Sequence, residues 1–160
     1  MARKFQRKCS NNIIVDTTYL LPVVGLAVKG LSKEDFNSLL ENYQIFYPEL
    51  LLVELYAVIV RQIRKEKLKE IPRQAIEGLN SIIYLETINL VPPDGGDLEV
   101  ICELVNLGWK DVFDAILYAT ATRLNMKILT MDMRFKEFLK RKGLKHEILI
   151  SHKQLMHSPK

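Results

Sequence analysis

The sequence predicts a single α/β domain in which helices cover both faces of a mainly parallel sheet. Three observations support this. Short β-branched or aliphatic runs alternate along the chain with longer segments of helical periodicity. The chain has 160 residues, which is enough for one domain with a substantial core. Its apolar share of 48% and charged share of 26% are those of an ordinary globular protein.

The first half of the chain is predicted to begin with a strand and to alternate from there. Ser32, followed by acidic residues, is typical of a helix N-cap, and Pro48 and Pro72 suit first helical turns. The predicted elements are a strand at 12–15, a short helix or loop at 19–28, a helix from about 33 to 43, a strand at 44–47, helices at about 49–67 and 73–85, and a strand at 88–91.

The second half contains the clearest loop, the sequence Pro-Pro-Asp-Gly-Gly at 92–96. Apolar residues at helical spacing indicate an amphipathic helix from about Asp111 to Asn125, and Gly108 and Gly143 mark helix ends. The predicted elements are helices at 97–107 and 111–125, a strand at 127–130, a helix at 134–142 and a strand at 146–150.

The expected organisation is a basic N-terminal lead-in at 1–11, the domain at 12–150 and a polar tail at 151–160. The N-terminus lacks the apolar core of a signal peptide, and the longest apolar run, 50–60, is too short to span a bilayer. Cys9 and Cys102 are far apart and have no metal-binding spacing. We therefore expect a cytoplasmic protein without membrane contact.

Basic residues are concentrated in three segments. Segments 1–10, 61–73 and 134–145 hold 16 of the 23 Lys and Arg residues, in a chain of net charge +4. Any one cluster is most simply a solvated surface, but the three together favour a polyanionic substrate.

Four carboxylates lie where packing alone would not place them: Asp16, Glu54, Asp114 and Asp132. Asp16 and Asp132 follow short strands, at the sheet edge where ligand sites form in open α/β folds. Glu54 and Asp114 lie among large apolar residues, where an unpaired charge is costly.

Each acid alone has an ordinary explanation. Asp16 and Asp132 could cap helices, Glu54 could pair with Arg61, and Asp114 could pair with a cation elsewhere. One divalent cation explains all four together, because oxygen ligands suit Mg²⁺ or Mn²⁺ and like charges gather around a metal. Hydroxyl groups stand beside the two strand ends, at Thr17, Thr18 and Thr130.

A fifth acid, Asp111, needs no metal to explain it. It stands at the start of the helix that contains Asp114, where a carboxylate can accept hydrogen bonds from free backbone N–H groups. The sequence therefore predicts a capping role for Asp111 and a ligand role for Asp114.

At these residues the chain resembles the PIN-domain ribonucleases, and its layout over 12–150 is most similar to that of VapC-type toxins. The matching motifs are Asp16-Thr17-Thr18, Glu54 in VELYAVIVR, DAILYATA from Asp114, and Thr130-Met131-Asp132. The resemblance implies a three-layer α/β/α sandwich, a Mg²⁺ or Mn²⁺ site and hydrolysis of RNA phosphodiester bonds. Other members of the family act in RNA processing or quality control, so both roles stay open.

The expected catalytic and metal-binding residues are Asp16, Glu54, Asp114 and Asp132, supported by the hydroxyls of Thr17 and Thr130. The expected RNA-binding residues are Arg61, Arg64, Lys65 and Arg134. The expected partners are RNA, an antitoxin protein and a second copy of the chain. Three alternatives remain: a non-catalytic RNA-binding module, a metal-dependent phosphatase or receiver-like domain built on Asp16, and a structural subunit.

Overall fold

The computed structural model describes residues 11–85 and 87–156, which contain five parallel strands in one sheet. The strands are β1 (Asn12–Val15), β2 (Gln44–Pro48), β3 (Ile88–Val91), β4 (Lys127–Leu129) and β5 (Leu149–Ile150), in the spatial order β3-β2-β1-β4-β5. Nearly all of the predicted basic lead-in, residues 1–10, lies outside the described residues, as do residues 157–160.

The sheet is covered on both faces. Ile13, Ile14 and Val15 of β1 are all buried, although successive side chains of a strand point to opposite faces. β1 pairs with β2 on one side and with β4 on the other, so that Ile14 lies between Phe46 and Ile128. Burial on two faces explains why the strands of this parallel sheet are apolar runs without alternation.

Seven helices accompany these strands in the described part of the chain. They are α1 (Lys33–Asn42), α2 (Leu52–Lys65), α3 (Arg73–Tyr84), α4 (Asp97–Asn106), α5 (Val112–Leu124), α6 (Met133–Arg141) and α7 (His152–Met156). Ser32 caps α1 in a capping box with Asp35. The 3₁₀ turns Thr17–Leu20 and Glu49–Leu51 follow β1 and precede α2. The predicted single α/β domain is confirmed, and no described helix is long and apolar enough to cross a bilayer.

The C-terminal end differs from the prediction. The strand predicted at 146–150 is shorter in the structure. β4 has only three residues, and only Leu149 and Ile150 pair with it. A helix, α7, follows where a polar tail was expected. Its His152 is buried, and the imidazole Nδ1 lies 2.9 Å from the Tyr19 hydroxyl, which joins α7 to the turn after β1.

Candidate active site

An open cleft of about 500 Å³ lies at the carboxyl edge of the sheet, where β1 and β4 end. From β1 the chain proceeds to β2 and β3 on one side and returns to β4 on the other, so this edge is a topological switch point. All four predicted acids line the cleft. The described residues that line the cleft are Asp16, Thr18, Glu54, Asp111, Asp114, Met131, Asp132, Met133 and Arg134.

Asp16 is held at the junction of the two central strands. Its backbone N–H donates to the Leu129 carbonyl at 3.0 Å, and its Oδ2 accepts a hydrogen bond from the Thr130 hydroxyl at 3.1 Å. The same Thr130 oxygen accepts the Asp132 backbone N–H at 3.0 Å, so one hydroxyl links both strand ends. Burial raises the pKa of Asp16, and the Thr130 bond opposes that rise only in part.

Glu54, in the first turn of α2, is held by a chain of hydroxyl groups. The Thr17 hydroxyl contacts Glu54 Oε2 and lies 2.8 Å from the Tyr47 hydroxyl, which donates to the Leu51 carbonyl at 2.7 Å. Burial raises the pKa of Glu54, and the hydrogen bond that the Thr17 hydroxyl donates to Glu54 Oε2 opposes that rise only in part.

Asp114, in the first turn of α5, is a half-buried acid close to three other carboxylates of the cleft. Burial raises its pKa to about 7, and the negative charges of Asp111, Asp16 and Asp132 act in the same direction. The indole N–H of Trp109 donates to Asp114 Oδ2 at 3.2 Å and opposes the rise. In the part of the chain that the structure describes, Asp114 therefore has a hydrogen-bond donor beside it but forms no ion pair.

Two other acids of the cleft cap helices. Asp111 Oδ1 accepts the backbone N–H groups of Phe113 and Asp114 at 2.9 and 3.4 Å, which confirms its predicted capping role. Asp132 caps α6 in the same manner: its Oδ1 accepts the Arg134 N–H at 2.8 Å, and its Oδ2 lies 3.3 Å from the Arg134 guanidinium. The ordinary explanation of Asp132 as a cap thus holds, while the carboxylate still lines the cleft.

A sixth acid, Asp97, lies outside the cleft and is compensated by an ion pair. Asp97, at the start of α4, is buried, and the Arg123 guanidinium binds it through two bonds of 2.8 and 3.1 Å. Asp16, Glu54 and Asp114 have no such cation among the described residues; in particular, Glu54 forms no ion pair with Arg61. Among the described residues, Asp16, Glu54 and Asp114 therefore lack the kind of ion pair that compensates Asp97.

The acids do not form a ready coordination shell. Within residues 11–85 and 87–156, no three His, Cys, Asp or Glu side chains are gathered closely enough to hold a metal ion. Each cleft acid instead has its own hydrogen-bond donor: Thr130 for Asp16, Thr17 for Glu54, Trp109 for Asp114 and Arg134 for Asp132.

Of the predicted RNA-binding residues, only Arg134 lines the cleft. Arg61, Arg64 and Lys65 lie in the last turns of α2, the helix that places Glu54 in the cleft. At 1.5 Å per residue, Arg61 lies about 10 Å along the helix from Glu54. Sequence reasoning did not assign a role to Tyr47 or Trp109, because their contacts with the site arise only from tertiary packing.

The chain was compared with known proteins. The family model of the PIN domain matches residues 13–140. A chain of VapBC2 from Rickettsia felis, solved bound to a DNA fragment from its promoter, is 17% identical with a TM-score of 0.58, covering 88% of this chain and 98% of that one. A chain of a toxin–antitoxin complex from Klebsiella pneumoniae is 19% identical with a TM-score of 0.49, covering 75% and 86%. A search of curated protein sequences found no match. The family match spans most of the chain, and the protein belongs to the PIN-domain family.

Proposed function

We propose that this PIN-domain protein is a metal-dependent endoribonuclease. The observation that carries the proposal is the cleft itself, in which acids from four separate segments meet at the switch point of the sheet, and Asp16, Glu54 and Asp114 form no ion pair within residues 11–85 and 87–156. Holding such groups together is unfavourable for folding, and a functional site is the usual reason for it.

The donor set fits Mg²⁺ or Mn²⁺. The cleft lining offers carboxylate and hydroxyl oxygens and no His or Cys, which is the chemistry of a hard cation. In the described part of the chain, Asp114 Oδ1 and Glu54 Oε1 accept no hydrogen bond from the protein, so each acid keeps one oxygen for a cation. Asp16, Glu54 and Asp114 would hold the ion, with Asp132 completing the set or binding a second ion.

The residues of the chain would divide the work of phosphodiester hydrolysis. A bound divalent cation supplies an activated water and polarises the phosphoryl oxygen. Thr130 keeps Asp16 at the cleft wall, and Asp132 orients the Arg134 guanidinium, which can donate to a non-bridging oxygen of the scissile phosphate. Arg61, Arg64 and Lys65 would bind the RNA backbone beyond the cleft without reading its sequence.

The proposal includes protein partners. The layout shared with VapC-type toxins supports a toxin role with an antitoxin partner, and RNA processing is the other role within the family. The cytoplasmic location expected from the sequence belongs to the same proposal.

We also propose that the protein forms a homodimer, because two helices carry exposed apolar stripes with opposite charged borders. On α2 the stripe is bordered by basic residues, and on α4 by acidic ones. The stripes are Val53, Tyr56 and Val60 beside Arg61 and Arg64, and Leu98, Cys102 and Val105 beside Glu99 and Glu103. A two-fold pair that sets α2 of one copy against α4 of the other would bury both apolar stripes and leave Arg61 and Arg64 at the rim of the interface.

The experiment that tests the nuclease proposal is RNA cleavage by the purified protein in EDTA, with Mg²⁺ or Mn²⁺ then restored. Asp114→Asn, purified identically, serves as the expected inactive variant, and Asp111→Asn is its matched control because Asn still caps α5. Cleavage that persists unchanged in EDTA would refute the metal mechanism, and cleavage that Asp114→Asn retains would refute the placement of Asp114 as a ligand. RNA binding without cleavage under every condition would instead establish a non-catalytic RNA-binding module.

A further inference from the structure

Trp109, the single tryptophan of the chain, lies between α4 and α5 and contacts the cleft acid Asp114. It follows Gly108, which has a positive φ of 104° and turns the chain away from the end of α4. The Trp109 backbone N–H donates to the Leu104 carbonyl at 3.0 Å. The backbone is thereby fixed, and the side chain extends to the start of α5. There the indole N–H donates to Asp114 Oδ2.

The indole is also fixed from its other side. Its ring centroid lies 4.7 Å from that of Phe135 and 5.0 Å from that of Phe138, and both phenyl groups are buried on α6. Aromatic pairs at this separation stabilise a defined arrangement. Trp109 therefore connects Asp114 on α5 to α6, the helix that begins at Asp132 and carries Arg134.

We infer that Trp109 is a positioning residue of the metal site, holding the Asp114 carboxylate so that Oδ1 remains available to a divalent cation. The inference rests on the proposed function, because it assigns Asp114 to that site. Without the indole N–H, the carboxylate loses the one side-chain donor that the described residues give it and is free to turn about χ1 and χ2. A side-chain rotamer that is already fixed by packing reduces the entropy cost of binding the metal ion.

Trp109→Phe is the informative variant, because it keeps a six-membered aromatic ring against Phe135 and Phe138 and removes the pyrrole part of the indole with its N–H. We expect its dissociation constant for Mn²⁺, measured by calorimetry, to rise about tenfold, the equivalent of one hydrogen bond to a charged group. In RNA cleavage, the half-saturating Mn²⁺ concentration should rise by the same factor, while the rate at saturating Mn²⁺ returns close to that of the wild type.

This pattern separates positioning from mere packing. A variant that is simply less well folded would lose active protein at every Mn²⁺ concentration without a change in the half-saturating value. A thermal melt of the metal-free variant measures folding independently. If Trp109→Phe bound Mn²⁺ like the wild type, or lost rate equally at all Mn²⁺ concentrations, the inference would be wrong.

The wild-type protein provides a second readout that does not need catalysis. Mg²⁺ does not quench fluorescence by itself, so a change of Trp109 emission on Mg²⁺ addition reports a change at its Asp114 contact. We expect this change in the wild type and in Asp111→Asn, but not in Asp114→Asn. A Mg²⁺-dependent emission change without RNA cleavage would refute the nuclease proposal and keep the role of Trp109. Cleavage that requires Mg²⁺, with unchanged Trp109 emission, would keep the nuclease proposal and refute the role of Trp109. The absence of any divalent-ion binding would refute the nuclease proposal and the role of Trp109 together.

Discussion

Replacing Asp114 by Asn should stabilise the metal-free protein while abolishing its activity. Asp114 has a pKa of about 7 in the folded protein against 3.8 when unperturbed. Because the pKa is higher in the folded protein, Asp114 keeps its proton in the folded state between about pH 4 and pH 7, where the unfolded chain has released it. Wild-type stability due to this group therefore falls as pH rises from about 4 to about 7 and stays low above. The neutral amide of the variant carries no such penalty.

The magnitude follows from the same difference in pKa. A difference of about three pKa units, at about 1.4 kcal/mol for each, sets an upper bound of about 4 kcal/mol. The side chain is partly exposed, so solvent screening reduces the expected gain to about 1 to 3 kcal/mol at pH 8. At pH 4 the two proteins should differ little, because Asp114 is largely protonated in the folded state and nearly half protonated in the unfolded chain.

Metal should reverse the order of stability. Mg²⁺ at about 100 times its dissociation constant adds about 2.7 kcal/mol to a protein that binds it, and Asp114→Asn should gain much less. Cleavage by the variant should fall at least about 100-fold, because losing a ligand removes several kcal/mol of transition-state stabilisation.

The assay is urea unfolding of both proteins at pH 4 and pH 8, in EDTA and in Mg²⁺, with Asp111→Asn as the control. A variant that is less stable than the wild type in EDTA at pH 8 would contradict the electrostatic reasoning. So would a stability difference that is equal at the two pH values. Either result would assign Asp114 a structural hydrogen-bonding role.

Three other predictions concern the surface and the rim of the cleft. Replacing Arg61, Arg64 and Lys65 together by Ala should weaken RNA binding. The slope of log K against log salt should fall by up to about 2, at about 0.7 for each lost contact with single-stranded RNA. An unchanged slope in a salt titration would show that these residues only form a solvated helix end. Val60→Glu should convert the proposed dimer to a monomer in sedimentation experiments, because it adds a charge to the apolar stripe, and a wild type that sediments as a monomer would exclude the dimer. Asp132→Asn should keep the melting temperature within a few degrees, because Asn also caps helices, while cleavage falls strongly; full activity would restrict Asp132 to capping α6.

Local sequence signals were sufficient for most of the fold and for the placement of the acids. β-branched runs marked the central strands, and Asp16 and Asp132 could be placed at one edge because parallel strands end together. Asp111 could be identified as a cap because its partners lie only two and three residues away. These features depend on neighbours in sequence or on the general geometry of parallel sheets.

Features that depend on packing across the fold could not be predicted. The hydroxyl chain from Glu54 through Thr17 and Tyr47 joins segments at least 30 residues apart. The burial of His152 depends on Tyr19, 133 residues earlier, so the polar composition around it indicated a solvated tail. No periodicity or spacing in one sequence reports such meetings, and only the assembled structure shows them.

The position of β1 at the centre of the sheet has a consequence for the order in which the site is made during synthesis. Of the described strands, β1 is translated first and its neighbour β2 soon after, but its other neighbour, β4, comes much later. Asp16 and Thr130 are 114 residues apart, which corresponds to roughly 6 to 23 seconds of translation at 5 to 20 residues per second. Until β4 emerges, one edge of β1 lacks its neighbour in the sheet, and Asp16 lacks the Thr130 hydroxyl that holds it. A ribosome-bound chain therefore carries an unfinished cleft, and the acid cluster is completed only when nearly all of the domain has been synthesised.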